Sequence, residues 1–314
     1  MAITNPTDTL QQLRLENARL RGGMMARNTV LGYGYDVQMY AAWCRGFQRA
    51  ALPTSTETLS LYLTDLLVHG KKITTARRRL AAILHEHRSH DFPSPGSHEI
   101  CELLGGAQRI KHERPRQMRA VTVRELRKMS AGLARSGTAA AMRNRALLVL
   151  GFASALRRSN LAALTLADLE FCSQGVILCI NREKQDKAGM GRRIAILRGC
   201  HVNSDPVRVL RAWLRIRGSA PGPLFARTCK LRRGEALGPQ TICRIVKKCL
   251  LGIGIDPIQS GAHSLRSGAV TALGEANVGV LRIAAYTGQS PTTVQRYFRR
   301  TDVWRNNAGG KLGL

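Results

Sequence analysis

Apolar residues recur at intervals of three and four along most of this 314-residue chain, which is the spacing of one face of an α-helix. Two short strand-like runs depart from it, at residues 176–180 and 193–197. They flank a polar, glycine-containing stretch, residues 181–191, so they predict a hairpin or a short sheet. The fold class that follows is mainly α with a small β-sheet.

The first part of the chain, residues 26–111, is helical throughout. The residues expected to begin its first three helices or to separate them are Asn28 or Thr29, Pro53, Ser55, Gly70 and Thr74. A fourth, short helix covers about residues 99–110. We therefore expect a small all-helical domain. It is preceded by an N-terminal arm, residues 1–25, that is either a short helix or a loose segment.

A polar, basic stretch with a proline, residues 112–120, predicts an interdomain linker. A second domain then spans residues 121–314 and includes a C-terminal tail. Thr122 and Glu125 have the spacing of a capping box at its start. Its further helices are expected at residues 144–153, 207–217 and 239–251.

Charge restricts the partners of the chain more than any other property of its composition. Lys and Arg number 49 against 20 Asp and Glu, which gives a net charge of +29. Such an excess calls for a polyanion, either nucleic acid or an anionic membrane. The chain has no apolar run long enough to span a bilayer, no basic amphipathic helix rich in Trp or Phe, and no secretory signal pattern. We therefore expect a nucleic-acid-binding protein of the cytoplasm.

The eight cysteines are scattered and form no C-x-x-C pair, and nearby histidines do not complete a zinc pattern. We expect reduced thiols and no metal site. Among the basic residues, Arg77, Arg78 and Arg79 are expected on faces of the third helix that point away from its apolar side. Arg77, Arg78 and Lys247 are the residues expected to bind DNA phosphates.

The last third of the chain carries two patterns of residues that could take part in a chemical reaction. His263 and Arg266 lie three residues apart and would share one face at a helix start, where free backbone N–H groups favour an anion. Ser290 and the proline after it begin another helix, which carries Tyr297. Taken alone, each pattern has a plainer explanation, namely a surface arginine beside a histidine and a tyrosine packed in a core. Between the patterns, Asn277 is expected to cap a helix that ends before Gly288.

The combination with earlier residues changes the interpretation. Arg157 follows an apolar helix and a Leu, Lys184 lies in the predicted hairpin, and Gln289 follows Gly288. In chain order the candidates are Arg157, Lys184, His263, Arg266, Gln289 and Tyr297. This order resembles the constellation of the tyrosine recombinase (phage integrase) family, which is Arg, Lys, His-x-x-Arg, His or Trp, and Tyr. Five of the six positions match, and the resemblance covers the chain from residue 28 to residue 314.

The resemblance implies a fold and a reaction. The helical first domain would be a SAM-like core-binding domain, followed by the family's α+β catalytic domain. Tyr297 would attack the scissile phosphate and form a 3′-phosphotyrosyl link, with Arg157 and Arg266 on the non-bridging oxygens. His263 would assist proton transfer and Lys184 would protonate the leaving 5′-oxygen. Neither a metal nor ATP nor another cofactor is expected, and a homo-tetramer would act on two DNA sites through a four-way junction.

Three assignments have competitors. Arg158 is adjacent to Arg157, Lys187 competes with Lys184, and Tyr286 is the alternative nucleophile, although its spacing is that of a core residue. Gln289 departs from the family, because an amide can donate a hydrogen bond to phosphate but cannot become an imidazolium. Two other functions share these features, a type IB topoisomerase-like enzyme and a DNA-binding protein that has lost catalysis.

Overall fold

The computed structural model describes residues 11–17, 25–112, 118–180, 191–229, 231 and 233–301, without the side chains of residues 27 and 298–301. The chain divides into two compact units, Met1–Pro115 and Arg116–Leu314. Each unit has its own hydrophobic core. No helix of the described part of the chain is both long and apolar enough to cross a membrane.

The described part of the first unit is helical. A short exposed helical segment at residues 11–17 precedes four longer helices. These are α1 (Arg27–Gly46), α2 (Thr56–Val68), α3 (Ile73–Ser89) and α4 (His98–Lys111). Apolar side chains from all four meet in one core: Tyr40, Cys44, Leu59, Tyr62, Leu63, Leu66, Leu67, Ile73, Ala76, Ile83, Ile100 and Leu104. The expectation of a helical segment here is confirmed.

Of the three helix starts predicted in this unit, one is observed at the predicted residue and two are not. The Ser55 hydroxyl accepts a hydrogen bond from the Thr58 N–H at 3.2 Å, so this cap is confirmed. Helix α1 begins after Ala26 rather than at Asn28 or Thr29, with no capping side chain. Helix α3 begins after Lys72 rather than at Thr74 because Ile73 is already buried in the core.

A buried charge cluster joins α1 and α3. Asp36 has no exposed surface and lies 2.9 Å from Arg78 Nη2 and 3.6 Å from Arg79 Nε. Arg79 is itself buried and donates a hydrogen bond to the Tyr62 hydroxyl. The expectation that Arg79 faces away from the core is therefore wrong. Burial raises the pKa of Asp36, while the two arginines oppose that shift.

The second unit combines eight helices of the described chain with one sheet. The helices are α5 (Val123–Ser136), α6 (Ala139–Ala153), α7 (Arg158–Ala163), α8 (Pro206–Arg217), α9 (Pro239–Leu251), α10 (Ala262–Glu275), α11 (Val280–Thr287) and α12 (Pro291–Thr301). Thr122 and Glu125 form the predicted capping box at the start of α5. Helix α6 is central and packs against α5, α8 and α10.

The sheet has three antiparallel strands in the order β1 (Leu169–Phe171), β2 (Gly175–Ile180) and β3 (Arg192–Leu197). Strands β2 and β3 confirm the two predicted runs, and their buried residues pair as Val176 with Ile196 and Leu178 with Ile194. Strand β1 was not predicted, because three residues are too few to show an alternating pattern. A mainly helical fold with a small sheet is thus confirmed.

Between α10 and α12 the structure differs from the sequence-based prediction in one respect. Asn277 does not cap α11; it has a φ of 59° in the turn that ends α10. An asparagine tolerates this left-handed conformation, and the Val278 N–H closes the turn by donating to the Leu273 carbonyl. Helix α11 begins after Gly279, and Gly288 ends it at a φ of 62°, as predicted.

Candidate active site

The start of α10 carries two of the sequence-predicted residues. The Gly261 N–H donates to the Ser264 hydroxyl at 3.0 Å, which fixes the first turn of the helix. His263 and Arg266 lie in that turn, as predicted. The His263 side chain reaches solvent, whereas Arg266 is 1% exposed. A helix start thus presents a histidine at the surface with a buried guanidinium beneath it.

Helix α12 brings Tyr297 to His263. The Ser290 hydroxyl accepts from the Thr293 N–H at 3.3 Å and caps the helix, as predicted. Val294 is fully buried and Tyr297, half-buried, packs against the same small cluster. The Tyr297 hydroxyl lies 3.0 Å from Nε2 of His263, which is hydrogen-bond distance. The site therefore pairs a tyrosine with a possible proton acceptor.

A constrained turn holds Arg157. Helix α6 ends at Ala153, and the fully buried Ala155 that follows has a φ of 49°. Left-handed backbone costs a non-glycine residue about 1–2 kcal/mol, so neighbouring contacts must fix the turn. One such contact is the hydrogen bond that Arg266 donates to the Ala155 carbonyl. The two sequence-predicted arginines, Arg157 and Arg266, thus meet around one turn.

A cleft of about 270 Å³ opens beside this turn. Its lining includes Arg157, Arg158, Cys243 and His263. Burial lowers the pKa of His263, and the positive charges of Arg266 and then Arg157 lower it further. The site is therefore electropositive around a largely neutral imidazole, which suits it to an anionic group such as a phosphate.

The competing residues differ from the candidates in their contacts. Arg158 extends to the Gln240 side chain, and its Nη1 donates a hydrogen bond to Gln240 Oε1 at 3.4 Å. Tyr286 is half-buried against the core and its hydroxyl donates to the Ala153 carbonyl, which confirms its interpretation as a core residue. Lys184 and Lys187 both lie outside the described residues.

Gln289 follows the left-handed Gly288, and its N–H donates to the Ala284 carbonyl at 3.2 Å. Its Oε1 is enclosed and accepts no hydrogen bond from the part of the chain that the structure describes. The structure thus brings Arg157, His263, Arg266 and Tyr297 together. It gives no contact between the Gln289 side chain and these four among the described residues.

The residues expected to bind DNA phosphates lie in both units. Arg77 is exposed, and Arg78 is half-exposed with one nitrogen on Asp36. Lys247 is half-buried on α9, one helical turn from Cys243, which lines the cleft. Asp36 was not among the residues singled out from the sequence, although it lies three residues after Tyr33 and four before Tyr40, the spacing of residues on one helix face.

Comparisons with known proteins identify the family of the chain. Residues 119–303, more than half of the chain, match the model of the phage integrase family. An integrase/recombinase XerD homolog of Selenomonas ruminantium is 29% identical over 308 residues, which cover 96% of this chain and 90% of that protein. The recombinase Cre of Escherichia phage P1 is 22% identical over 286 residues, 84% of this chain and 81% of Cre.

A solved structure shows the same fold. The chain of a lambda integrase tetramer bound to a Holliday junction superposes with a TM-score of 0.61 at 18% identity, covering 92% of this chain and 76% of that one. The family match, together with relatives that span nearly the whole chain, confirms the resemblance inferred from the motif order. The chain therefore belongs to the phage integrase family of tyrosine recombinases, and it is a DNA breaking–rejoining enzyme.

Proposed function

We propose that this recombinase cleaves duplex DNA by attack of the Tyr297 hydroxyl on a scissile phosphate. The observation that supports the proposal is the 3.0 Å approach of Tyr297 to His263 beside an electropositive cleft. In the cleavage step the phenolic oxygen bonds to phosphorus, the bond from phosphorus to the 5′-oxygen breaks, and a 3′-phosphotyrosyl link results.

Each side chain would have a defined part in that step. Arg157 and Arg266 would stabilise the charge that develops on the non-bridging oxygens. His263, kept neutral by its surroundings, would accept the phenolic proton. Lys184 would give a proton to the departing 5′-oxygen, and Gln289 would donate a hydrogen bond to the phosphate. Attack by the 5′-hydroxyl of a different strand reverses the step and exchanges strands.

The phosphotyrosyl bond keeps the energy of the phosphodiester, so the reaction would need neither ATP nor a metal.

We further propose a homo-tetramer on two DNA sites, with a four-way junction as intermediate. A lambda integrase tetramer bound to a Holliday junction is the structural neighbour that supports this assembly. The C-terminal tail, with Val303, Trp304 and Leu312 as apolar anchors, would dock on a neighbouring protomer; it lies outside the described residues. Such an enzyme would work on the nucleoid in the cytoplasm.

The function is tested by covalent trapping. The substrate is a nicked duplex carrying a site that the protein selects from a random-sequence DNA pool, and the readout is a protein–DNA adduct on a denaturing gel. We expect an adduct with the parent in excess EDTA and none with Tyr297→Phe, although that variant still binds the DNA. Tyr286→Phe, at the alternative nucleophile, should still form the adduct, and Tyr40→Phe in the first unit is the matched control that should form it at the parental level.

Other outcomes would contradict the proposal. An adduct that persists in Tyr297→Phe would move the nucleophile elsewhere, and an absolute need for magnesium in cleavage would contradict the metal-free mechanism. Binding without any adduct in the parent would favour a DNA-binding protein that has lost catalysis. Relaxation of supercoiled plasmid lacking the selected site would favour a type IB topoisomerase.

A further inference from the structure

Tyr286 links three segments that border the proposed active site. Its hydroxyl donates to the carbonyl of Ala153, the last residue of α6. Its own carbonyl accepts a hydrogen bond from Arg192 Nη1 at 2.6 Å. Arg192 begins β3, eight residues after Lys184 in the sequence, and Tyr286 itself lies three residues before Gln289. One residue, through its hydroxyl and its backbone carbonyl, therefore connects the end of α6 and the start of β3 to the turn before α12.

The contact at Ala153 matters because of the turn that follows. Arg157 is four residues further along, beyond the left-handed, fully buried Ala155. A backbone of this kind persists only where the surroundings fix it. Two carbonyls of the turn are held by side chains, Ala155 by Arg266 and Ala153 by Tyr286. Arg266 is assigned to phosphate binding, whereas Tyr286 has no assigned role in the reaction.

The donor and its anchor are chemically suited to this task. Burial raises the pKa of Tyr286 above its ordinary value, and the nearby charge of Arg192 only partly opposes the shift. The hydroxyl therefore stays protonated near neutral pH and remains a hydrogen-bond donor. The last four carbonyls of a helix accept no hydrogen bond from within that helix. The Tyr286 carbonyl is one of these four in α11, and the hydrogen bond from Arg192 supplies the donor that it needs.

We propose that Tyr286 and Arg192 are positioning residues that set the place of Arg157 in the cleft. Tyr286 acts through the Ala153 carbonyl, and Arg192 fixes Tyr286 to the start of β3. Neither residue touches the reacting atoms. The proposal rests on the proposed function, in which Arg157 binds the scissile phosphate.

The test removes one oxygen. Tyr286→Phe keeps the ring in the core and loses the hydrogen bond to Ala153. We expect the single-turnover cleavage rate at saturating protein to fall on the order of tenfold, because misplacing a reacting group by about 1 Å costs up to about 10²-fold. The dissociation constant for DNA should stay within about twofold. In the free protein, NMR should show the His263 pKa rising, since the charge of Arg157 is no longer held beside it.

Tyr40→Phe is the matched control. The Tyr40 hydroxyl also makes a buried hydrogen bond, 2.6 Å from Thr54 Oγ1, but it lies in the first unit. We expect this variant to lose comparable stability and to keep the parental cleavage rate and His263 pKa. Arg192→Met should resemble Tyr286→Phe, and Arg192→Lys, which keeps a donor for the Tyr286 carbonyl, should recover part of the rate.

Several results would overturn the positioning role. They are a Tyr286→Phe rate within about twofold of the parent, an unchanged His263 pKa in that variant, or an equal loss of rate in Tyr40→Phe. The failure of the proposed function would look different. In that case Tyr286→Phe would form no adduct while Tyr297→Phe still did, which would make Tyr286 the nucleophile.

Discussion

The Nε2 atom of His263 lies 3.0 Å from the phenolic oxygen of Tyr297, although 34 residues separate the two in the chain. The lowered pKa of His263 decides what this proximity can do. A neutral imidazole can accept the phenolic proton, whereas an imidazolium cannot. The protonation state of His263 is therefore the property of the site to measure first.

We expect an NMR titration of the free protein to give His263 a pKa below its ordinary value of 6.5. Because the charge of Arg157 contributes to this shift, Arg157→Gln should raise the pKa. Arg158→Gln is the matched control, since Arg158 extends towards Gln240 and is not among the causes of the shift; it should raise the pKa less. A parental pKa above 6.5, or equal shifts in the two variants, would contradict the electrostatic description of the site.

The same shift predicts how stability and cleavage depend on pH. Below pH 6.5 the unfolded chain takes up the His263 proton before the folded protein does. The contribution of His263 to stability is therefore complete above 6.5 and is lost as the pH falls through the folded pKa. Cleavage at limiting protein should lose activity over the same acidic range, because it reports groups of the free enzyme. In His263→Gln the unfolding free energy should depend less on pH in this range.

Helix α10 reaches its place through a close contact at Gly268. A Cβ at this position would lie 2.1 Å from the Val121 carbonyl oxygen and 2.8 Å from the Phe152 ring. Gly268→Ala should therefore destabilise the protein by about 1–3 kcal/mol, as overpacking does, and slow cleavage by displacing the helix that carries His263. Denaturant unfolding gives the first quantity and single-turnover kinetics the second.

Gly132→Ala is the control for that variant. Gly132 is also helical, but a Cβ there meets only the end of Arg135 at 3.9 Å. Helix propensity predicts that this change stabilises the protein by up to about 1 kcal/mol. Equal effects of the two alanines would show that the contact at Gly268 is not tight.

The fold class could be predicted from the sequence because helical periodicity and helix caps are local signals. The candidate residues were recognised from their order along the chain. Ser55, Thr122 and Ser290 cap helices as expected. The proximity of His263 and Tyr297 is not local: it depends on how α10 and α12 pack. It could be expected only from the family resemblance.

Other features had no signal in the pattern. Arg79 was expected outside because a charged residue on a helix is usually solvated, yet Asp36 on α1 pairs with it in the core. The left-handed Ala155 and the hydrogen bond from Tyr286 to Ala153 depend on three-dimensional contacts that neither propensity nor spacing encodes. Such constrained turns are common near functional sites, where local rules give way to the needs of the site.

DNA binding should depend strongly on salt, with contributions from Arg77, Arg78 and Lys247. For duplex DNA each neutralised phosphate contributes roughly −0.9 to the slope of log K against log salt. Arg77→Gln and Lys247→Gln should each flatten the slope by about one on all sequences. Arg78→Gln should have a smaller effect, because Asp36 already offsets part of its charge.

Arg49→Gln, which removes an exposed arginine paired with Glu57, is the control for this prediction. An unchanged slope in the triple variant would exclude these residues from the DNA interface.

Gln289 occupies the one position at which the chain departs from its family's pattern. If its amide N–H donates to the scissile phosphate, Gln289→Ala should lower the single-turnover rate on the order of 10²-fold. Gln289→His can donate the same bond and should keep or raise the rate, whereas Gln289→Glu, of similar shape but without the donor, should lower it. The alternative is that Gln289 only caps the turn before Ser290 and faces solvent, in which case both the alanine and the histidine substitutions should be nearly silent. The enclosed Oε1 of Gln289 argues against a solvent-facing side chain. An alanine variant within about twofold of the parent would place Gln289 outside the active site.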